Sequence, residues 1–448
     1  MNHFPILRNE NTISLLSYGA YAFFEASVIY IMAHTYSKGI FGEWVIFYSG
    51  VFLLDRMMFG IGSFALVKFL SEHNDVNEER SLISSSWIIN LVIIGIISIV
   101  FYVSVILWNG RSQQPGLFLL LVIFPITAII RLPFNQSLAI MQSKRDFFPI
   151  FVLRIVGMGL FFFFLLLNMR LHMSITYVAI AFVLACTINT AICIINNWSG
   201  VSFVRFTDVS RIRKLLKFGK YSMGTYLCTN ILRESDIFII GFMMTKVDAA
   251  LFVIPLRLID ILNVPIMGLV AVFIPKISRA NSIGDKEKVR RLLYQYAGFL
   301  TILFIPFIGV LYFIAPFLIS SFGGSEYLHS NIAVTVFRIF LLYGLLLTVD
   351  VFAGVTLDSI NRPKLNFVKV VIMVAINIIG DFIVVIYFNS LIAVAIVTVI
   401  NSFCGLCIGI FLLNGEMRIN LVQIFPEGYG LCKSRLTVIV NSIANRFA

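Results

Sequence analysis

The sequence predicts an all-α polytopic membrane protein: twelve transmembrane helices in two six-helix lobes related by a parallel pseudo-repeat. Three observations lead there. Hydrophobic residues make up 59% of the 448 and charged residues 12%, about half the ~25% usual in a soluble domain. Apolar runs of roughly 20 residues, enough to cross a ~30 Å hydrocarbon layer, recur along the whole chain. These runs are continuous, whereas barrel strands would be short and alternating.

Basic residues orient the spans when the N-terminus is placed in the cytoplasm. The first span, Ile13–Thr35, follows Arg8 and passes the small residues Ala20-Tyr21-Ala22 without a break, as an uncleaved helix does. Lys38 is outer, before Glu43–Ala65, and Lys68 and Arg80 are inner, before Ile83–Leu107. Arg111 is outer, before Gly116–Leu138; Lys144 and Arg145 are inner, before Phe148–Asn168; Arg170 is outer, before Ile175–Ile195. Residues 1–200 thus form the first lobe and 201–220 a cytoplasmic linker carrying Arg205, Arg211, Arg213, Lys214, Lys217 and Lys220. Residues 221–413 form the second lobe. Its spans are Phe218–Met243, Ala250–Phe273, Ala297–Phe317, Val334–Leu357, Phe367–Phe388 and Leu391–Leu413, boundaries being good to a few residues.

Lys246 is outer; Lys276, Arg279, Lys286, Lys288, Arg290, Arg291, Arg362, Lys364 and Lys369 are inner. So is the tail, residues 414–448, cytoplasmic or interfacial, with Arg418, Lys433, Arg435 and Arg446. The inner side holds 24 of the 34 basic residues and the outer side four; the other six are arginines inside spans. The net charge of +12 is therefore a topology signal and not a nucleic-acid footprint. Both termini fall in the cytoplasm.

The linker helix is amphipathic. Val209, Ile212, Leu215 and Leu216 share one face and the basic residues lie mostly elsewhere, which suits the anionic inner leaflet. The tail stretch Leu436–Val440 is too short to span.

The two halves repeat. Tyr36–Met57 aligns with Met244–Pro265 at an offset of 208, placing Lys38 on Lys246 and Trp44 on Phe252. Met141–Phe147 corresponds to Leu357–Pro363. Six spans per half with the same charge sense give parallel repeats about an axis normal to the membrane, two lobes able to rock against each other.

A charge at a helix centre costs on the order of 2.5–3.5 kcal/mol on insertion scales, yet the spans keep many. Six arginines and no lysine occupy them by this reading, and arginine stays protonated and grips phosphate bidentately. The candidate substrate-binding cations are Arg56, Arg131, Arg233, Arg257 and Arg338. The coupling or charge-balancing carboxylates are Glu25, Asp55, Glu234, Asp236, Asp260 and Asp350. Arg233 and Asp236 are three apart, as are Arg257 and Asp260, so each pair shares a helix face. Against a hydrated cationic cavity stands the plainer reading of interhelical salt bridges that lock the bundle. Arg131, Arg154 and Asp381 lie towards span ends, where side chains can snorkel. No cofactor or metal site is expected: the Cys404-Cys407 pair has no second ligand pair, and no histidine stands near another metal ligand.

Taken together, Ser37–Glu72, Lys214–Leu227, Leu232–Leu258, Val272–Leu293 and Thr356–Lys364 resemble the multidrug/oligosaccharidyl-lipid/polysaccharide exporters. Within them the chain is most similar to the polysaccharide-biosynthesis flippases of O-antigen type. The resemblance runs from about Ser14 to Leu413. It implies a twelve-helix, two-lobe, alternating-access transporter, not an enzyme. Its implied cargo is an undecaprenyl-pyrophosphate-linked oligosaccharide, moved from the inner to the outer leaflet of a bacterial inner membrane. It implies cavity arginines that bind substrate, carried here to Arg56, Arg233 and Arg257, and H⁺ or Na⁺ coupling as in some relatives. A polysaccharide polymerase and a chain-length regulator are the protein partners it suggests; nucleic acid is not. The chain departs from the pattern where Asp55-Arg56 precedes Gly60 and Gly62 by a longer gap than usual. Two alternatives stand beside this: a cation or drug antiporter of the same superfamily, and a membrane polysaccharide polymerase. The first predicts an acidic, aromatic interior and the second a sizeable outer loop.

Overall fold

Spanning runs leave a backbone one economical way to satisfy its hydrogen bonds in hydrocarbon, and the computed structural model takes it. Among the described residues every regular element is helical. The structure describes residues 10–58, 64–72, 75–108, 115–144, 146–206, 208–217 and 220–434. Expectations resting on Arg8, Gly60, Gly62, Arg111, Arg145, Arg435, Arg446 and Leu436–Val440 lie outside the described residues.

Contacts divide the chain into two compact units, residues 1–241 with 245–250, and residues 242–244 with 251–448. The first unit contains α1 (Glu10–Thr35), α2 (Lys38–Met58), α3 (Phe64–Glu72), α4 (Val76–Trp108), α5 (Pro115–Ser143), α6 (Phe147–Leu171) and α7 (Ile175–Ile195). The linker follows, a 3₁₀ turn (Val201–Phe206) and α8 (Val209–Lys217), then α9 (Lys220–Met243). Helix α10 (Lys246–Asp260) begins in the first unit and continues in the second. The second unit adds α11 (Asn263–Ser282), α12 (Lys286–Gly323), α13 (Ile332–Ser359), α14 (Pro363–Phe388), α15 (Leu391–Glu416) and a tail helix, α16, at residues 424–434. The sequence reading assigns α9 to the second lobe; by contacts it clusters with the first.

The repeat is visible in the element ends. α1 and α9 stop at Thr35 and Met243, and α2 and α10 start at Lys38 and Lys246, both at the offset of 208 (243 − 35; 246 − 38). α6 and α14 start at Phe147 and Pro363, and α7 and α15 at Ile175 and Leu391, both 216 apart (363 − 147; 391 − 175). α6 and α14 also end alike, on the left-handed caps His172 and Asn389. Each unit is packed on aromatic rings, and Trp44 and Phe252 hold equivalent positions at the offset of 208. Trp44 stacks on Phe161 at 5.6 Å in the first unit, and Phe252 meets Phe340 edge-on at 5.3 Å in the second.

Among the described residues eight helical stretches are long and apolar enough by themselves to cross a bilayer. The other four expected spans are α1, α2, α5 and α9, and these carry the charged cluster described below.

One expectation needs correction, and two segments gain detail. The eighth span is not one helix: it breaks at Ile261-Leu262. Pro265 has no N–H for the Ile261 carbonyl and its ring crowds that carbonyl, so the chain there makes short i→i−3 bonds such as Leu262 N–H to Ile259 O, 2.9 Å. The inner segment before the ninth span is helical from Lys286 onward, capped by Asp285, which accepts from Lys288 N–H at 2.9 Å. The linker helix is fastened to the first unit. Glu78 of α4 takes Arg211 at 2.7 Å and Lys214 at 3.4 Å, and Leu215 is fully buried while Val209 and Leu216 stay exposed.

The tail is likewise more ordered than expected up to residue 434. α16 lies against α12 where two glycines meet: a Cβ on Gly298 or Gly428 would strike the other helix's backbone. Glu427 accepts from Arg291 at 3.2 Å and Gln295 at 3.1 Å beside this crossing.

Candidate functional site

Helices α1, α2, α5 and α9 bring charged groups together inside the first unit. Asp55 on α2 takes two donors of Arg131 on α5, Nη2 at 2.8 Å and Nε at 3.3 Å, in the fork-to-fork geometry that guanidinium and carboxylate favour. Asn135, one turn after Arg131, adds an amide donor to the same carboxylate. The third arm of Arg131, Nη1, donates to the thiol of Cys186 on α7 at 3.3 Å. The neighbouring Arg56 reaches the other way and donates to Glu234 on α9 at 3.0 Å. Arg233 comes within 4.0 Å of the same carboxylate. Tyr21 on α1 stands within electrostatic reach of Glu25, Asp55, Arg56 and Arg131 at once, so these groups form one cluster.

Burial sorts the members. The Glu234 side chain is 1% exposed and that of Arg56 19%, whereas Arg233 keeps 38% of its side chain accessible. Buried pairs of this kind are held by geometry and by further hydrogen bonds, because the desolvation of both ions must be offset. Arg233 is the cation of the cluster with the most surface left for a further anion. Asp236, on the same helix, is buried and accepts a bond from Ser235.

The remaining candidates belong to the second unit. In the second unit Arg257 pairs with Asp260 at 3.3 Å on its own helix, and Asn263 donates to Asp260 at 3.1 Å across the α10–α11 break. Arg338, in the second turn of α13, lies over the ring of Tyr312 at 4.6 Å and donates to its carbonyl at 3.3 Å. Asp350 is paired with Lys369, and the same Nζ donates to the Asp350 carbonyl at 3.2 Å. Among the described residues no group of three or more His, Cys, Asp or Glu is arranged to hold a metal.

Lys369 corrects two expectations together. It is not an inner-loop residue and the spans are not free of lysine: it lies in the second turn of α14, 2% exposed. Room for the pair comes from α15, where Gly405 and Gly409 face Asp350 and Lys369. Asp381 is a third correction. It does not snorkel but is fully buried, accepting from Asn377 at 3.0 Å, with Asn401 donating to Asn377 at 3.3 Å. Arg131 too lies well inside α5, not at a snorkelling end.

The sequence reading passed over Asn135, Cys186, Asn189, Lys369 and Asn377. For two of them a signal existed: Asn135 follows Arg131, and Asn377 precedes Asp381, by the four residues that put side chains on one helix face.

Behind Arg131 the first unit contains a small cavity of about 50 Å³. Its walls include Tyr21, Phe52, Arg131, Arg154, Cys186 and Asn189. Arg154 donates to Ser17 at 3.2 Å and stands 6.0 Å from the Tyr21 ring.

The family described as polysaccharide biosynthesis protein matches residues 52–332. Among solved structures the chain is similar to a lipid II flippase, MurJ, in an inward closed conformation (TM-score 0.70, 15% identity, 96% of this chain and 92% of that one). It is also similar to a multidrug resistance MATE transporter of the MOP superfamily in an inward-facing conformation (TM-score 0.69, 14% identity, 88% and 95%). A third is a MOP superfamily transporter from Pyrococcus furiosus described as having a binding pocket of reverse polarity (TM-score 0.62, 16% identity, 93% and 98%). No curated protein matches by sequence. At these identities the likeness establishes the fold.

Proposed function

Starting from the chain's membership of the polysaccharide biosynthesis protein family, we propose that it is a flippase for an undecaprenyl-pyrophosphate-linked oligosaccharide. It carries an O-antigen or related surface-polysaccharide repeat unit from the cytoplasmic to the outer leaflet of a bacterial inner membrane, by alternating access. The observation that carries this reading is the cluster of Arg56, Arg131 and Arg233 with Asp55 and Glu234 inside a membrane fold. Guanidinium groups keep their charge when desolvated and offer paired donors to phosphate oxygens. Their carboxylate partners hold that charge in balance between loads, so the unloaded site is not an uncompensated cation buried in lipid. A diphosphate entering beside Arg233 exchanges one set of acceptors for another.

The buried carboxylates Asp236 and Asp381 are the candidates for picking up H⁺ or Na⁺ in a coupled cycle. Both termini are placed in the cytoplasm by the basic loops, and a polymerase acting on the delivered repeat unit is the natural partner.

The test is paired. Protein reconstituted in liposomes is expected to move the lipid-linked sugar between leaflets, and deletion of the gene is expected to remove surface polysaccharide. Liposomes that leave the lipid in place, together with a deletion strain of full surface glycan, would refute the reading. Movement of an organic cation in its place would favour the antiporter; the fold also occurs in a multidrug resistance MATE transporter.

A further inference from the structure

The cavity behind Arg131 is more than a packing gap. Asn189 on α7 is 6% exposed, lines it, and its Oδ1 has no hydrogen-bond partner among the described residues. A buried amide oxygen left without a donor costs free energy that a folded protein usually avoids. The position is also built: a Cβ on Gly157 of α6 would come within 2.5 Å of Asn189 Nδ2, so only glycine there leaves the amide its place. One turn before Asn189 on α7 the Cys186 thiol, a weak acceptor, takes the Nη1 hydrogen of Arg131, whose other arms are committed to Asp55. An oxygen acceptor would take that hydrogen more strongly.

The cavity lining therefore holds an acceptor without a donor and, one helical turn away, a donor with a poor acceptor. A hydroxyl group, which is both, answers the two together. The rings of Phe52, Phe134 and Phe182 also line the cavity, surfaces suited to the C–H face of a ring, and its second cation, Arg154, donates to Ser17. A metal ion does not match a lining that carries two guanidinium groups and phenyl rings.

We propose that this cavity is the subsite for the hydroxyl edge of the first sugar attached to the diphosphate, with Asn189 accepting from that hydroxyl and Arg131 Nη1 donating to it. The proposal rests on the flippase reading and makes Asn189, Cys186 and Gly157 its specificity-determining positions. The diphosphate is held by the arginine cluster and the adjoining sugar is tested by this pocket.

Binding to purified full-length protein tests it, with two probes: undecaprenyl diphosphate, and the same lipid bearing one N-acetylglucosamine. Wild type is expected to bind the sugar-bearing lipid more tightly. Asn189→Leu lowers affinity for the sugar-bearing lipid about tenfold, the scale of one hydrogen bond together with a stranded partner. Cys186→Ser, which keeps the side chain's size, guards against a folding artefact. Its hydroxyl competes for Arg131 Nη1, so discrimination between the two lipids narrows while the melting temperature stays near that of wild type. Equal affinity of wild type for the two lipids, or discrimination that survives both substitutions, overturns the subsite and leaves the flippase reading standing. Failure to bind either lipid removes both.

Discussion

The two units share a helix plan but solve the problem of buried carboxylates differently. In the first, Asp55 meets Arg131 and Glu234 meets Arg56 and Arg233, while Asp55 also takes the Asn135 amide and Asp236 accepts from Ser235. In the second, Asp260 and Asp381 each meet an asparagine amide, from Asn263 and Asn377. Asp260 has Arg257 as well, and Asp350 has Lys369. An arginine cancels a carboxylate's charge; an amide solvates it and leaves the charge in place. On the proposed reading, the arginines gathered in the first interior suit a passing anion, and Asp381 of the second is a candidate for a proton or cation. The ends of helices repeat between the units, while the polar interiors differ.

Breaking that contrast should give its largest effect at Arg131. Arg131→Ala strands the buried Asp55 and should cost roughly 3–5 kcal/mol, read as a lowered melting temperature and loss of protein. Replacing Arg131 and Asp55 together with apolar residues of similar size should restore the protein but not transport. In the second unit Lys369→Ala should cost a similar ~3–5 kcal/mol. There the matched double replacement of Lys369 and Asp350 should recover both the protein level and surface polysaccharide, because that pair ties α13 to α14 and touches no cargo. If the first double variant transports, or the second does not, the division between the units is wrong.

Asp381→Asn sharpens the comparison without disturbing volume. Protein level should be unchanged while transport in liposomes loses its dependence on an imposed H⁺ or Na⁺ gradient. Transport that still follows the gradient would remove Asp381 from coupling. The smallest effect is expected for Arg257→Gln combined with Asp260→Asn. Their bond lies along one helix beside the Pro265 break, and surface polysaccharide should stay close to the wild-type level.

What the sequence made legible follows from the strength of each signal. Spans announced themselves because a 20-residue apolar run has no other stable use, and the repeat showed because Lys38 and Lys246 open equivalent helices. Lys369 was hidden by its position soon after Pro363, which reads as a loop, when that proline in fact occupies the first turn of α14. The docking of α8 was hidden because hydrophobic periodicity finds a face but not what covers it; Glu78, more than 130 residues earlier, decides that. The α12–α16 crossing depends on Gly298 and Gly428 lying opposite each other, a tertiary coincidence invisible to spacing. Within the candidate site, charged residues were legible and their partners were not, since which carboxylate an arginine reaches depends on helix rotation. Asn189 gave no signal at all: one amide in an apolar run looks like any small polar interruption.

The account's central claim is that the arginines of the first unit hold a polyanionic headgroup. Equilibrium binding of undecaprenyl diphosphate to purified wild type and to Arg233→Gln tests it most directly, because this side chain is the most accessible of the cluster. Loss of a charged hydrogen bond to phosphate should weaken binding by about tenfold or more, with the melting temperature of the unliganded protein unchanged. Equal affinities in the two proteins would contradict it.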